Sequence, residues 1–153
     1  MAEKEIRTIV APLQEGHVLL PNGAVAEVLG YTSPEPLKKA PKWVLGEIAW
    51  NGWQVPIINY DQLINEHSSS KTTSKSRILI IKTLGESTQV NYIGIIIQGL
   101  PRLKKVSAVS LQEIKMEELP RTIFSAVSVA DLQAYIPELG SLTRTVEQAA
   151  YDN

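Results

Sequence analysis

The side chains that could do chemistry are few and scattered. Histidine occurs only at 17 and 67, and His17 has no second histidine or carboxylate at metal-ligand spacing. Cysteine is absent, which excludes thiol catalysis, disulfides and cysteine-ligated metal. No glycine-rich phosphate loop ends in Lys-Ser/Thr, and neither His-Glu-x-x-His nor Gly-x-Ser-x-Gly occurs. Isolated carboxylates remain, but acid–base catalysis needs them paired in a cleft, which spacing alone does not indicate. The chain reads as non-enzymatic, with no metal and no cofactor expected. Side chains suited to binding are more concentrated. Trp50, Trp53 and Tyr60 fall within the stretch Gly46 to Leu63, and tryptophan and tyrosine are typical interface anchors.

That stretch predicts a hairpin. Asn51-Gly52 is the strongest short-range turn signal, because a two-residue type I′ turn needs positive φ at both central positions. Gly46 to Trp50 forms one arm and Trp53 to Ile58 the other, and Pro56 requires an edge or a local break. Asn59 to Leu63 reads as a short helical turn. The two tryptophans, three apart, are expected at non-equivalent positions, and the spacing leaves open whether one is exposed or both face the core.

On these residues the chain resembles the CheW-like domain, the adaptor module of bacterial chemosensory arrays. Gly46, Gly52, Val55-Pro56, Ile57-Ile58 and Leu63 resemble the family's hairpin, and Pro21, Val25 and Glu27-Val28 its upstream segment. The family usually has arginine where this chain has Asn51 and aspartate where it has Asn59, so two charges are missing from a surface the family uses for contacts. The resemblance is nearer to divergent members serving type IV pilus systems than to the flagellar adaptor. It implies twin five-stranded, SH3-like β-barrels. It implies two partners: the regulatory domain of a CheA-type histidine kinase, and the cytoplasmic tip of a chemoreceptor entering a groove between the lobes. The residues expected at partner surfaces are Glu27, Tyr31, Trp50, Asn51, Trp53 and Asn59. The alternatives are a small-barrel interaction module of another pathway and a binding domain for a small ligand.

The elements that position these residues follow from pattern. The chain has 153 residues, 44% hydrophobic and 20% charged, enough for one domain with a real core. A net charge of -1 gives no field for nucleic acid or an anionic membrane. The charged N-terminus is not a signal peptide, and runs such as Ile93 to Ile97 are too short to span a bilayer, so a cytoplasmic location is expected. The expected class is mainly β: one domain over 1–153, two lobes on a shared core, short helices and a C-terminal helix. A strand at 6–13 and a helix at 139–151 pack across lobes at about 17–66, completed by a closing strand, and about 77–137. The serine-rich 67–76 is the mobile loop between them.

Within that frame, 24–29 reads as a short helix with Val25, Val28 and Leu29 on one face and Glu27 pointing away. The prolines of 31–42 make an extended connection. Arg77 to Lys82 is a central strand, 84–89 a hairpin loop, and 90–98 the returning strand, with Gly94 marking a bulge or close approach. Leu103 to Val106 is a strand with two exposed lysines, and 110–119 a helical turn or irregular crossing. A strand at 122–129, a tight turn at Ala130-Asp131 and a return at 132–137 follow. Ser141 caps the last helix, which packs through Leu142, Val146 and Ala149. Gly52→Val, placing a β-branched residue at positive φ, is expected to cost about 1–3 kcal/mol. An unchanged melting temperature in that variant would mean the turn lies elsewhere.

Overall fold

The computed structural model describes residues 4–68, 71–83, 89–116 and 119–152. Six strands make one sheet: β1 (Ile6–Pro12), β2 (His17–Pro21), β8 (Arg102–Val106), β9 (Gln112–Glu113), β10 (Ile123–Val129) and β11 (Leu132–Pro137). Their order is β8-β1-β2-β11-β10-β9. Five make the other: β3 (Val25–Gly30), β4 (Val44–Trp50), β5 (Trp53–Ile58), β6 (Arg77–Lys82) and β7 (Tyr92–Ile97), in the order β3-β6-β7-β5-β4. Two α-helices complete the set, α1 (Tyr60–Ile64) and α2 (Leu139–Tyr151).

Alternation along the strands sorts their side chains into three clusters. Ile78 and Ile80 of β6 point into a cluster with Ile48, Val55, Ile57 and Ile96 inside the five-stranded sheet. Leu79 and Ile81 point the other way, onto Val18 and Leu20 of β2 and Leu142 and Val146 of α2. Leu19 of β2 joins Val10, Val106 and Val127 inside the six-stranded sheet. Side chains from both edge strands of the five-stranded sheet, Leu29 of β3 and Trp50 of β4, reach the same cluster, so the sheet rolls on itself. The outcome is a mainly β molecule with two rolled sheets against a common apolar layer, as the composition and pattern predict.

The strands do not sort as the linear reading divides them. The lobe boundary expected at 67–76 falls inside the five-stranded sheet, between α1 and β6. The five-stranded sheet occupies 25–97, and the six-stranded one takes both ends of the chain. Parallel pairings make this possible: β2 meets β11 at His17↔Ala134 and Val18↔Tyr135, and β5 meets β7 at Ile57↔Gly94 and Ile58↔Ile95. The second sheet has six strands rather than five, because the crossing at 110–119 contributes β9. The described ends of the serine-rich stretch are anchored. Ser68 and Ser76 are buried, and the Ser76 hydroxyl donates to Gln98 Oε1 at 3.2 Å.

Three local expectations change for physical reasons. Residues 25–30 are strand, not helix. A bulge between Val25 and Glu27 puts Val25 opposite Ile81 and Val28 opposite Leu79, and that extra residue creates the helix-like spacing. Leu29 faces the other cluster. The cap of α2 is Glu138, whose carboxylate accepts from Gly140 N at 3.2 Å and Ser141 N at 2.8 Å, so Ser141 lies within the first turn. Leu142, Val146 and Ala150, rather than Ala149, are its buried apolar residues. β7 is unbroken at Gly94, where Ile57 Cδ1 occupies the space a Cβ would need, so the glycine serves close approach and not a bulge. The loop expected at 84–89 lies mostly outside the described residues.

Because both sheets draw strands from either side of 69–70, neither half is a complete lobe. Fragments 1–68 and 71–153, produced together, are expected to co-purify as one folded species, while each alone stays unfolded. A cooperative melt from either isolated fragment would contradict the shared core.

Candidate functional site

The Asn51-Gly52 turn forms as its chemistry requires, with φ of 47° and 81°. Pro56 sits opposite Glu47 of β4, and β5 gains its second partner only at Ile57, so no far-side ladder is broken. In a two-residue hairpin the flanking residues are direct cross-strand partners, and Trp50 pairs with Trp53. The tryptophans therefore share one face of the sheet, contrary to the non-equivalence expected from their spacing. Trp50 is half-buried and Trp53 is 43% exposed.

Tyr92, the first residue of β7, joins them. Its ring lies 4.9 Å from Trp50 at an interplanar angle of 68°, and 5.5 Å from Trp53 at 60°, both within the range of favourable aromatic pairs. Spacing along the sequence gives no sign of this residue. The signal that could have found it is alternation in β7: Tyr92, Gly94 and Ile96 share a face.

Glu27 completes the group. Trp50 Nε1 donates a hydrogen bond to its carboxylate. β3 and β4 are the two edges of the five-stranded sheet, so this bond crosses the seam where the sheet rolls up. The structure thus brings together Glu27, Trp50, Asn51 and Trp53, and adds Tyr92. Asn51 is exposed at the tip.

Two expected members lie elsewhere. Tyr31 follows β3 and is 37% exposed, and no hydrogen bond or ring contact among the described residues links it to the aromatic group. Asn59 is only 6% exposed. Its Oδ1 accepts from Gln62 N at 3.2 Å, and its own N–H donates to the Trp43 carbonyl at 2.8 Å. It is an interior helix cap, and the Asn-x-x-Gln spacing was a readable sign of that role. Tyr60, counted among the hairpin's aromatic anchors, is fully buried. Its hydroxyl donates to the Thr122 carbonyl at 3.2 Å, and burial pushes its phenol far above the ordinary range.

Among the described residues no group of three or more His, Asp or Glu side chains is placed to hold a metal ion. Nor, among the described residues, is any helix long and apolar enough to cross a membrane.

With this geometry in place, comparison with known proteins identifies the class. The CheW-like domain family matches residues 7–145, and the chain belongs to that family. Its fold is similar to that of the scaffolding protein TtCheW from Thermoanaerobacter tengcongensis, whose crystal structure superposes with a TM-score of 0.75 at 19% identity, covering 92% of this chain and 89% of that one. No curated protein matches.

The seam bond joins a charged acceptor to a partly exposed donor, so its net worth is reduced by solvent. A double-mutant cycle of Glu27→Ala and Trp50→Phe is expected to give a coupling of about 0.5–1 kcal/mol by denaturant unfolding. Additive effects would show that the bond does not hold the seam in solution.

Proposed function

We propose that this chain is a non-enzymatic adaptor of a bacterial chemosensory system. It would hold the regulatory domain of a CheA-type histidine kinase and the cytoplasmic tip of a chemoreceptor in one assembly in the cytoplasm. The observation that carries this reading is the exposed indole of Trp53, paired across the hairpin with the Trp50 that bonds Glu27, in a chain of the CheW-like family. The scaffolding role named for TtCheW supports it.

The mechanism is positional. An adaptor that binds two partners couples their conformational equilibria, and a small receptor shift changes kinase output with no reaction at the adaptor. An arginine at the hairpin tip could make bidentate, charge-assisted bonds to a carboxylate, whereas Asn51 offers only neutral ones. The apolar area of the tryptophans would take over part of that contact. Selective kinase binding, as in a type IV pilus system, belongs to the same reading and rests on this departure at Asn51.

Calorimetric titration with a CheA-type regulatory domain and with a receptor-tip fragment tests it. Trp53→Ala is expected to weaken kinase-domain binding by about tenfold or more while shifting the melting temperature little, because Trp53 is already 43% exposed. Asn51→Arg is expected to leave the fold intact. If the wild-type chain binds neither partner at high micromolar concentration, the adaptor reading fails.

A further inference from the structure

We propose that the open end of the six-stranded sheet holds a binding site for a small organic carboxylate with an apolar body. This stands apart from the adaptor reading, since it uses none of the hairpin residues. A cavity of about 280 Å³ opens there. Its apolar wall includes Val10, Leu100 and Leu132, and its polar side chains are His17, Arg102 and Lys104. No carboxylate lines it, and neither cation has an ion-pair partner among the described residues.

The placement of the cations is the informative feature. Arg102 lies opposite Val10 and Lys104 opposite Thr8, on the face of β8 that carries the buried Val106. Arg102 is exposed at the rim of the cavity and Lys104 is half-buried, so two of the three side chains on this face of the strand are cationic. His17 Nδ1 lies 3.2 Å from the Gln133 carbonyl, which orients the ring at the edge of the cavity. Leu100 is 68% exposed, so the wall has an apolar surface still uncovered. Convergent cations beside an apolar wall fit one chemistry: a carboxylate bonded by Arg102 and Lys104, with its hydrocarbon part against Leu100 and Leu132. The pocket also adjoins the point where the chain passes between sheets, since Gln98 N–H donates to the Pro12 carbonyl at 2.8 Å. An occupant would be felt at that crossing.

Charges on an edge strand can instead serve only to deter edge-to-edge pairing, and that role requires no ligand. The two are separated by titrating the full ¹⁵N-labelled chain with benzoate and, in parallel, with its neutral analogue benzamide, at constant ionic strength. Saturable shifts of the Leu100, Arg102, Lys104 and Leu132 amides are expected with benzoate alone. The pair Arg102→Gln with Lys104→Gln is expected to raise the fitted Kd by about tenfold or more, and the charge-keeping pair Arg102→Lys with Lys104→Arg to retain binding. Three results would overturn the proposal: shifts that grow without saturating, benzamide binding as tightly as benzoate, or a well-dispersed glutamine double variant that binds like wild type.

Discussion

The interaction on which the rest depends is the anchoring of α1 between the two sheets. Tyr60 and Asp61 are both buried, and a buried carboxylate is tolerated only when hydrogen bonds replace its water. Asp61 accepts from Gln14 N at 3.0 Å and Glu15 N at 3.2 Å, in the turn joining β1 to β2. One residue earlier, the Tyr60 hydroxyl reaches the Thr122 carbonyl beside β10. A single helical turn thus ties the end of the Trp hairpin to two separate parts of the six-stranded sheet. Removing either partner would leave a polar group without its bond in the interior, which costs far more than a surface contact returns.

From that anchor the positions of the remaining elements follow. α2 starts beside β11, where Glu138 N–H donates to the Thr122 carbonyl, and ends against β4, where the Tyr151 hydroxyl donates to Glu47 Oε2 at 2.9 Å. Burial and the Glu47 carboxylate both raise the Tyr151 phenol above its ordinary range. The helix is therefore a strap across both sheets, with Leu142 and Val146 in the layer between them. The hairpin can present its aromatic face because its root is held on both sides: Ile58 packs in the same layer, Ile57 inside the five-stranded sheet, and Asn59 caps α1.

What could be read from the sequence was local. Asn51-Gly52 named its own turn, and Ala130-Asp131 did likewise, with φ of 48° and 66°. The doubly apolar β6 announced a central strand, and it lies between β3 and β7. The readings that failed were those where one residue altered the period or where distant segments met. The bulge in β3 imitated a helical repeat. The pairings of β2 with β11 and β5 with β7 leave no short-range mark, so lobe membership was not legible. Trp50, Trp53 and Glu27 were singled out by type, and the structure supplies what type could not: a shared face, Tyr92 and the bond across the seam.

The discontinuous six-stranded sheet also governs the order in which the molecule can form as it is made. β1 and β2 emerge first, but the strand that closes on β2 is β11, more than a hundred positions later in the chain. Until then Val18 and Leu20 have no complete layer to cover them. The five-stranded sheet, contiguous over 25–97, can assemble earlier and offer them a template. Long-range closures of this kind slow folding, because chain entropy is lost before the contacts that offset it are made. The β1–β2 hairpin thus gains its full cover only when the distant β11 closes on β2.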